Sequence, residues 1–345
     1  MKRIHVLASI IVLVFVMSIS GCTKGEPKGE PLDISSLALI GKGPSTIWAI
    51  RQDEKGNLLR SSDQGKTFRD IIPKDIHTKG WMGNFFLNAK QAWIIDSSYS
   101  LYQTLNGGRD WKKIASLSDV EQTSGVLQIL FHDVLHGWLR MNDNLYSTED
   151  GGTTWKRVAE KIPNGSLDFT TLEIGWSNTM DGVYKTEDGG RTWNLAIAKK
   201  TTFLFVNFVD KNFGFQRTLS QTANGILSGD YRITSDGGST WRDIPSVPFP
   251  KEVLAKEMYW YDFVSKYGIA VSYGEKSIES LYSTMDQGRT WRSLPLAKDS
   301  DFTTPYLLEG GTLLLVGGDK GGLIHSISLT KKNSEWKTYQ PLIVD

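Results

Sequence analysis

Thr148-Glu149-Asp150-Gly151-Gly152-Thr153-Thr154-Trp155 is the stretch whose reading decides the fold. Ahead of it, Leu145-Tyr146-Ser147 reads as a short strand, and Thr154-Trp155-Lys156-Arg157-Val158 reads as the strand that returns. Between them Asp150 supplies a short acceptor for turn N–H groups, and Gly151-Gly152 tolerate positive φ. The segment is therefore predicted to be a β-hairpin whose Trp155 offers a broad apolar plate to a neighbouring unit.

The pattern returns five more times. Its copies end at Phe68, Trp111, Trp193, Trp241 and Trp291, and the acidic position is held by Asp63, Asn106, Asp188, Asp236 and Asp286. Departures are few: Phe68 replaces Trp, Asn106 replaces Asp and Asp110 replaces Thr. A seventh unit keeps only Trp336. A reaction needs one site, whereas acids repeated at this spacing argue for repeated copies of one turn, so these residues are read as structural.

Upstream of each box lie two further strand-like runs, such as Gln128-Ile129-Leu130-Phe131 followed by Gly137-Trp138-Leu139. Each repeat thus carries four short strands. The box aromatics follow one another at steps of 43, 44, 38, 48, 50 and 45 residues. Four antiparallel strands at a period in the forties describe a propeller blade, and seven periods describe a seven-bladed, all-β propeller over residues 34–345. Leu37-Ala38-Leu39-Ile40 is a candidate first inner strand, and Leu342-Ile343-Val344 is positioned to add an edge or tie the last blade to the first.

The boxes resemble the Asp-box, or BNR, repeat, and the resemblance covers essentially all of residues 34–345. The single-propeller pattern is similar to proteins of the photosystem II stability and assembly factor type. That likeness implies an extracytoplasmic scaffold that binds other proteins. Sialidase-like enzymes also carry Asp-boxes, and there the resemblance implies an arginine cluster and a Phe/Tyr-Arg-Ile-Pro sequence ahead of the first box. Residues Leu37 to Leu59 contain Arg51 but no such sequence, and Tyr231-Arg232-Ile233-Thr234 leads straight into the fifth box. Xyloglucan-cleaving Asp-box glycosidases use two propellers with carboxylates between them, and this chain has repeats for one. No pair among its 38 acidic residues stands out as an acid/base couple.

The N-terminus carries an address. Lys2 and Arg3 precede an apolar run from Ile4 to Ser20, short for a membrane span and right for a signal sequence. The run ends in Ile19-Ser20-Gly21-Cys22, which resembles a bacterial lipobox and implies cleavage before Cys22 and lipidation of its thiol. Loss of Lys2 and Arg3 with the leader moves the formal charge from +1 to −1 and leaves no other cysteine. Residues 22–33, rich in Gly, Pro and charge, read as a flexible tether. The expected location is the outer side of the cell membrane, with the membrane as mooring only.

Composition narrows the function. Thirty-nine basic against 38 acidic residues provide no basic field for nucleic acid, and 12 Trp in a chain 39% apolar mark a packed body. No phosphate-cradling loop or partnered nucleophile is evident, and no cofactor is expected. His132-Asp133-Val134-Leu135-His136 is the only histidine cluster; a turn between two strands is favoured there over a metal site, because no third ligand is evident.

Where repeats differ, function is the better guess. Longer steps place extra residues at Leu219 to Gly229 and Tyr273 to Glu279, both joining second and third strands and so projecting from one face. Arg140 and Arg217 occupy matching positions after Trp138 and Phe215, with Arg51 close to the same place, so the three form a candidate rim for a carboxylate or acidic peptide. Trp81 and Trp260 are candidate stacking or anchoring residues. The expectation is a monomeric, lipid-tethered module for a protein or envelope ligand; the alternative is a surface carbohydrate-binding protein or sialidase-like glycosidase.

Overall fold

The computed structural model describes residues 29–33, 37–51, 58–72, 76, 83–120, 127–198, 203–221, 227–244, 247, 259–273, 278–296, 302–317, 322–331 and 335–344. The sequence-read leader, Cys22 and Trp81 lie outside them. Seven sheets follow one another along the chain, six with four strands and one with six. Blade 3 shows the plan: Leu127–Phe131, Gly137–Met141, Asn144–Thr148 and Lys156–Ala159 pair antiparallel in sequence order. The protein is a seven-bladed β-propeller.

Each blade buries both faces against its neighbours, and aromatic residues make the joints. Trp93 on the second strand of blade 2 stacks on Phe131 of blade 3 at 3.7 Å, Trp138 on Phe169 of blade 4 at 3.8 Å, and Trp176 on Phe208 of blade 5 at 4.2 Å. Trp93 and Trp138 also donate their indole N–H to the carbonyls of Gly151 and Gly189 in the next blade's box. Side-chain amides add further ties. Gln128 brackets the backbone of Leu167, and Asn178 that of Val206, each donating to the carbonyl and accepting from the N–H. Buried backbone groups thus stay paired where sheets meet without a shared ladder.

Closure uses both chain ends. Leu342–Ile343, just past the outer strand of blade 7, pairs parallel with Thr67–Asp70, the outer strand of blade 1. Glu30–Pro31 then pairs with Leu342–Ile343, and Leu32 beside it is 2% exposed. The packed body therefore includes residues that the sequence reading put in the tether. At the centre, the first strands of blades 7 and 1, Phe302–Leu308 and Leu37–Gly41, pack together and complete the ring.

Candidate functional site

The boxes come first, since they carry most of the recurrent polar residues. Asp150 Oδ1 accepts from Thr148 Oγ1 at 2.8 Å and Thr154 N at 2.9 Å, while Oδ2 accepts from Thr154 Oγ1 at 2.6 Å. Gly152 N closes the turn on Thr148 Oγ1 at 2.9 Å. Asp63, Asp188, Asp236 and Asp286 repeat this geometry, each within its own blade. Partial burial works against ionisation of Asp188, but hydrogen bonds from Thr192 and Thr186 hold its carboxyl down at about 2. These acids are occupied by their turns. The turn needs two successive residues at positive φ, as in Gly151 and Gly152; where Gln64 and Gln287 replace the first glycine they take φ of 66° and 58°.

The second box reverses its polarity. Asn106 Oδ1 accepts from Asp110 N at 3.0 Å, and its Nδ2 donates to Asp110 Oδ2 at 2.7 Å, so the amide and carboxylate have exchanged the roles of carboxylate and hydroxyl. An Asn106→Asp variant puts two carboxylates face to face and is expected to cost about 1 kcal/mol. Adding Asp110→Thr should restore the ordinary box. Thermal unfolding of the single and double variants checks this, with an undiminished melting temperature in the single variant as the contrary result.

The arginines separate. Arg140 is 2% exposed. Its Nε donates to Asn142 O at 2.8 Å, one terminal nitrogen to Gly165 O, and the other to Asn164 Oδ1 at 2.7 Å. It clamps the connector between blades 3 and 4, which corrects its reading as a rim residue. Arg217 does occupy the equivalent register, three residues after Gly214 as Arg140 is after Gly137, and it lies over the Tyr231 ring at 5.5 Å. Arg51 sits four residues after the matching Ile47, so strand alternation sends it to the other sheet face. The three do not form one rim. Trp260 pairs with Val271 on the first strand of blade 6. His132 to His136 is the turn between the first two strands of blade 3, with His136 Nδ1 2.9 Å from Asp133 Oδ2. Among the described residues no three His, Cys, Asp or Glu side chains come together as metal ligands.

A tier that the sequence reading missed lies at the centre. Ile40, Phe85, Leu130, Asp168, Asn207, Asp262 and Leu307 hold the same register on the seven first strands. Blades 7, 1, 2 and 3 contribute the apolar members, and blades 4, 5 and 6 the polar ones. Lys42, one residue past the first strand of blade 1, lies 6.0 Å from the Phe85 ring centre. It also feels Asp168 from three blades away, which places both toward the axis. Burial pushes Asp168 up to about 6 against hydrogen bonds from Phe169 and Phe208 N–H and the charge of Lys42. Burial likewise raises Asp262 to about 6, against the N–H of Phe263. Lys42 is driven below its ordinary value by burial, opposed by Glu309 and Asp168.

Both carboxylates ionise less readily folded than unfolded, so their contribution favours the folded state most below about pH 4. It declines as pH rises through about 6 and is constant above. A rise of this size corresponds to at most about 3 kcal/mol per group. Asp168→Asn and Asp262→Asn are each expected to stabilise the body at pH 8 by up to that amount and to flatten the slope between pH 4 and 7. Urea unfolding across that range measures it; a variant weaker than the parent at pH 8 would mean that the carboxylate is held as an ion. Comparison at equal pH cancels His325, whose buried imidazole has the opposite sign, losing stability as pH falls below about 6.5.

Residues 81–226 match the family model described as photosynthesis system II assembly factor YCF48. A sequence search of curated proteins finds no match. Among solved structures the chain is similar to YCF48 from Cyanidioschyzon merolae, at 16% identity and a TM-score of 0.56, over 88% of this chain and 97% of that one. A structure of YCF48 bound to D1 peptide matches at 15% identity and a TM-score of 0.54, over 86% of this chain and 96% of that one. The GH74 xyloglucanase from Xanthomonas campestris matches at 14% identity and a TM-score of 0.55; the alignment takes in 92% of this chain and 55% of the enzyme. This chain thus spans about half the length of that enzyme. Together with the repeats, these likenesses define a β-propeller of the BNR type.

Proposed function

We propose that the protein is a lipid-anchored, extracytoplasmic scaffold that binds other proteins at the cell envelope. The observation that carries this reading is a single closed BNR propeller, similar over nearly its whole length to a structure bound to a peptide. The lipobox-like Ile19-Ser20-Gly21-Cys22 supports the anchor.

A second reading, a glycosidase, draws support from the xyloglucanase likeness and from Asp168 and Asp262, whose raised values suit a general acid. Capture of partners from solubilised envelopes, alongside a screen for glycan binding and glycoside turnover, separates the two. A saturable protein partner without turnover supports the scaffold. Turnover abolished by Asp168→Asn or Asp262→Asn would replace it. Cys22→Ser should release the body from membranes, and retention would count against the anchor.

A further inference from the structure

Outer strands are the exposed edges of a propeller, and unprotected edges invite pairing with other chains. Six of the seven here carry charge: Arg69 and Asp70, Lys112 and Lys113, Lys156 and Arg157, Arg242 and Asp243, Arg292, and Lys337. Blade 1 is in addition covered by Leu342–Ile343. Among the described residues, blade 4 alone has an outer strand with neither charge nor a covering strand, Asn194-Leu195-Ala196-Ile197-Ala198, and Leu195 on it is 51% exposed.

The surroundings of this edge specify what would cover it. A groove of about 640 Å³ between blades 3 and 4 is lined by Lys161, Ile162, Pro163, Met180, Arg191 and Trp193, among others. Met180, at the hairpin tip, is 85% exposed on a turn braced by Asp181, which accepts from Thr179 and, at 3.1 Å, from Tyr184 Oη. Glu160, the other acid of the groove, pairs with Arg157 at 3.0 Å. Both acids are thus occupied, while among the described residues no carboxylate forms a salt bridge with Lys161 or Arg191. The edge is neutral and apolar, and the groove beside it carries the cations Lys161 and Arg191.

We propose that blade 4 is an acceptor edge for an extended strand of a partner protein, with alternating apolar residues flanked by acidic ones. The strand adds to Asn194–Ala198 by backbone hydrogen bonds, its apolar side chains meet Leu195 and the groove, and its acids meet Lys161 and Arg191. A second copy of this chain fits poorly, since its own Asn194–Ala198 edge carries no acid to meet Lys161 and Arg191. The outer strand of blade 1 already takes an added strand in this way, from the chain's own Leu342–Ile343. The proposal rests on the scaffold reading and names its docking strand.

The test uses the full-length lipidated protein in nanodiscs and a fluorescent heptapeptide alternating Val and Thr between terminal glutamates. Saturable binding is expected. N-methylation of alternate peptide amides, exchange of both glutamates for lysine, or Leu195→Asp in the protein should each weaken it at least tenfold. Lys112→Asp on the blade 2 edge should leave it unchanged, and melting curves of both variants should match the parent. Absence of saturable binding, or equal binding by the N-methylated peptide or by the Leu195→Asp protein, overturns the proposal. An envelope partner still captured by Leu195→Asp also overturns it, while leaving the scaffold reading intact.

Discussion

Trp93→Ala is expected to cost about 4 kcal/mol and to lower the melting temperature by roughly 5–10 °C. The indole is fully buried, and two contacts between blades disappear with it. Its stack on Phe131 at 3.7 Å is the main aromatic contact between blades 2 and 3. Its N–H bond to Gly151 O, at 3.0 Å, ties blade 2 to the box of blade 3. The space it leaves is bounded by strands of two sheets, which cannot collapse without moving a blade, so the cavity persists. Trp93→Phe keeps the stack and loses the hydrogen bond, and should recover more than half of the loss. Equal damage from both variants would show that the hydrogen bond, not the packing, dominates. Calorimetry of the three proteins decides.

Deleting residues 340–345 should cost a further distinct sum, about 3–5 kcal/mol. The deletion removes the hydrogen bonds from Leu342 N to Lys66 O at 2.9 Å and from Val344 N to Phe68 O at 2.8 Å. It also takes away Pro341 O, which accepts from Leu32 N, and so frees Glu30–Pro31 from its strand partner. Phe68 and Leu32, both buried, gain solvent exposure. Tyr339 survives the cut and still donates to Gln64 O, and Tyr306 keeps its hydrogen bond to the Leu39 backbone, so blades 7 and 1 stay tied and the ring should loosen, not fall apart. The bare outer strand of blade 1 should then associate at high concentration. An unchanged melting temperature and a monodisperse truncated protein would mean that the inner strands alone close the ring.

The fold was legible because its signal is periodic. Six boxes announce six turns, and the strands around them follow from alternation, with Trp336 marking a seventh blade that has lost its box. Glu30–Pro31 was not legible, since two residues have no period and a charge beside proline reads as linker. Arg140 and Arg217 do share a register, but nothing in their spacing shows that Asn164 and Gly165 fold over one of them. Arg51 missed by a single residue, which in a strand is a change of face. Asp168 and Asp262 needed all seven first strands in register before their shared tier could be seen. The bare edge of blade 4 is written in the sequence as a strand without charge, yet it has meaning only once the other outer strands are known.

Hydrogen–deuterium exchange of the full-length protein tests most directly whether the repeated acids build turns in a ring closed by both ends of the chain. Slow exchange is predicted for the box amides of Gly65, Gly108, Gly152, Gly190, Gly238 and Gly288, each bonded to a Ser or Thr hydroxyl oxygen. Leu342 and Val344 should be protected to the level of the Thr67–Asp70 strand they join. Free-peptide exchange rates at the box amides, or at Leu342 and Val344 while blade 1 stays protected, would contradict this structure.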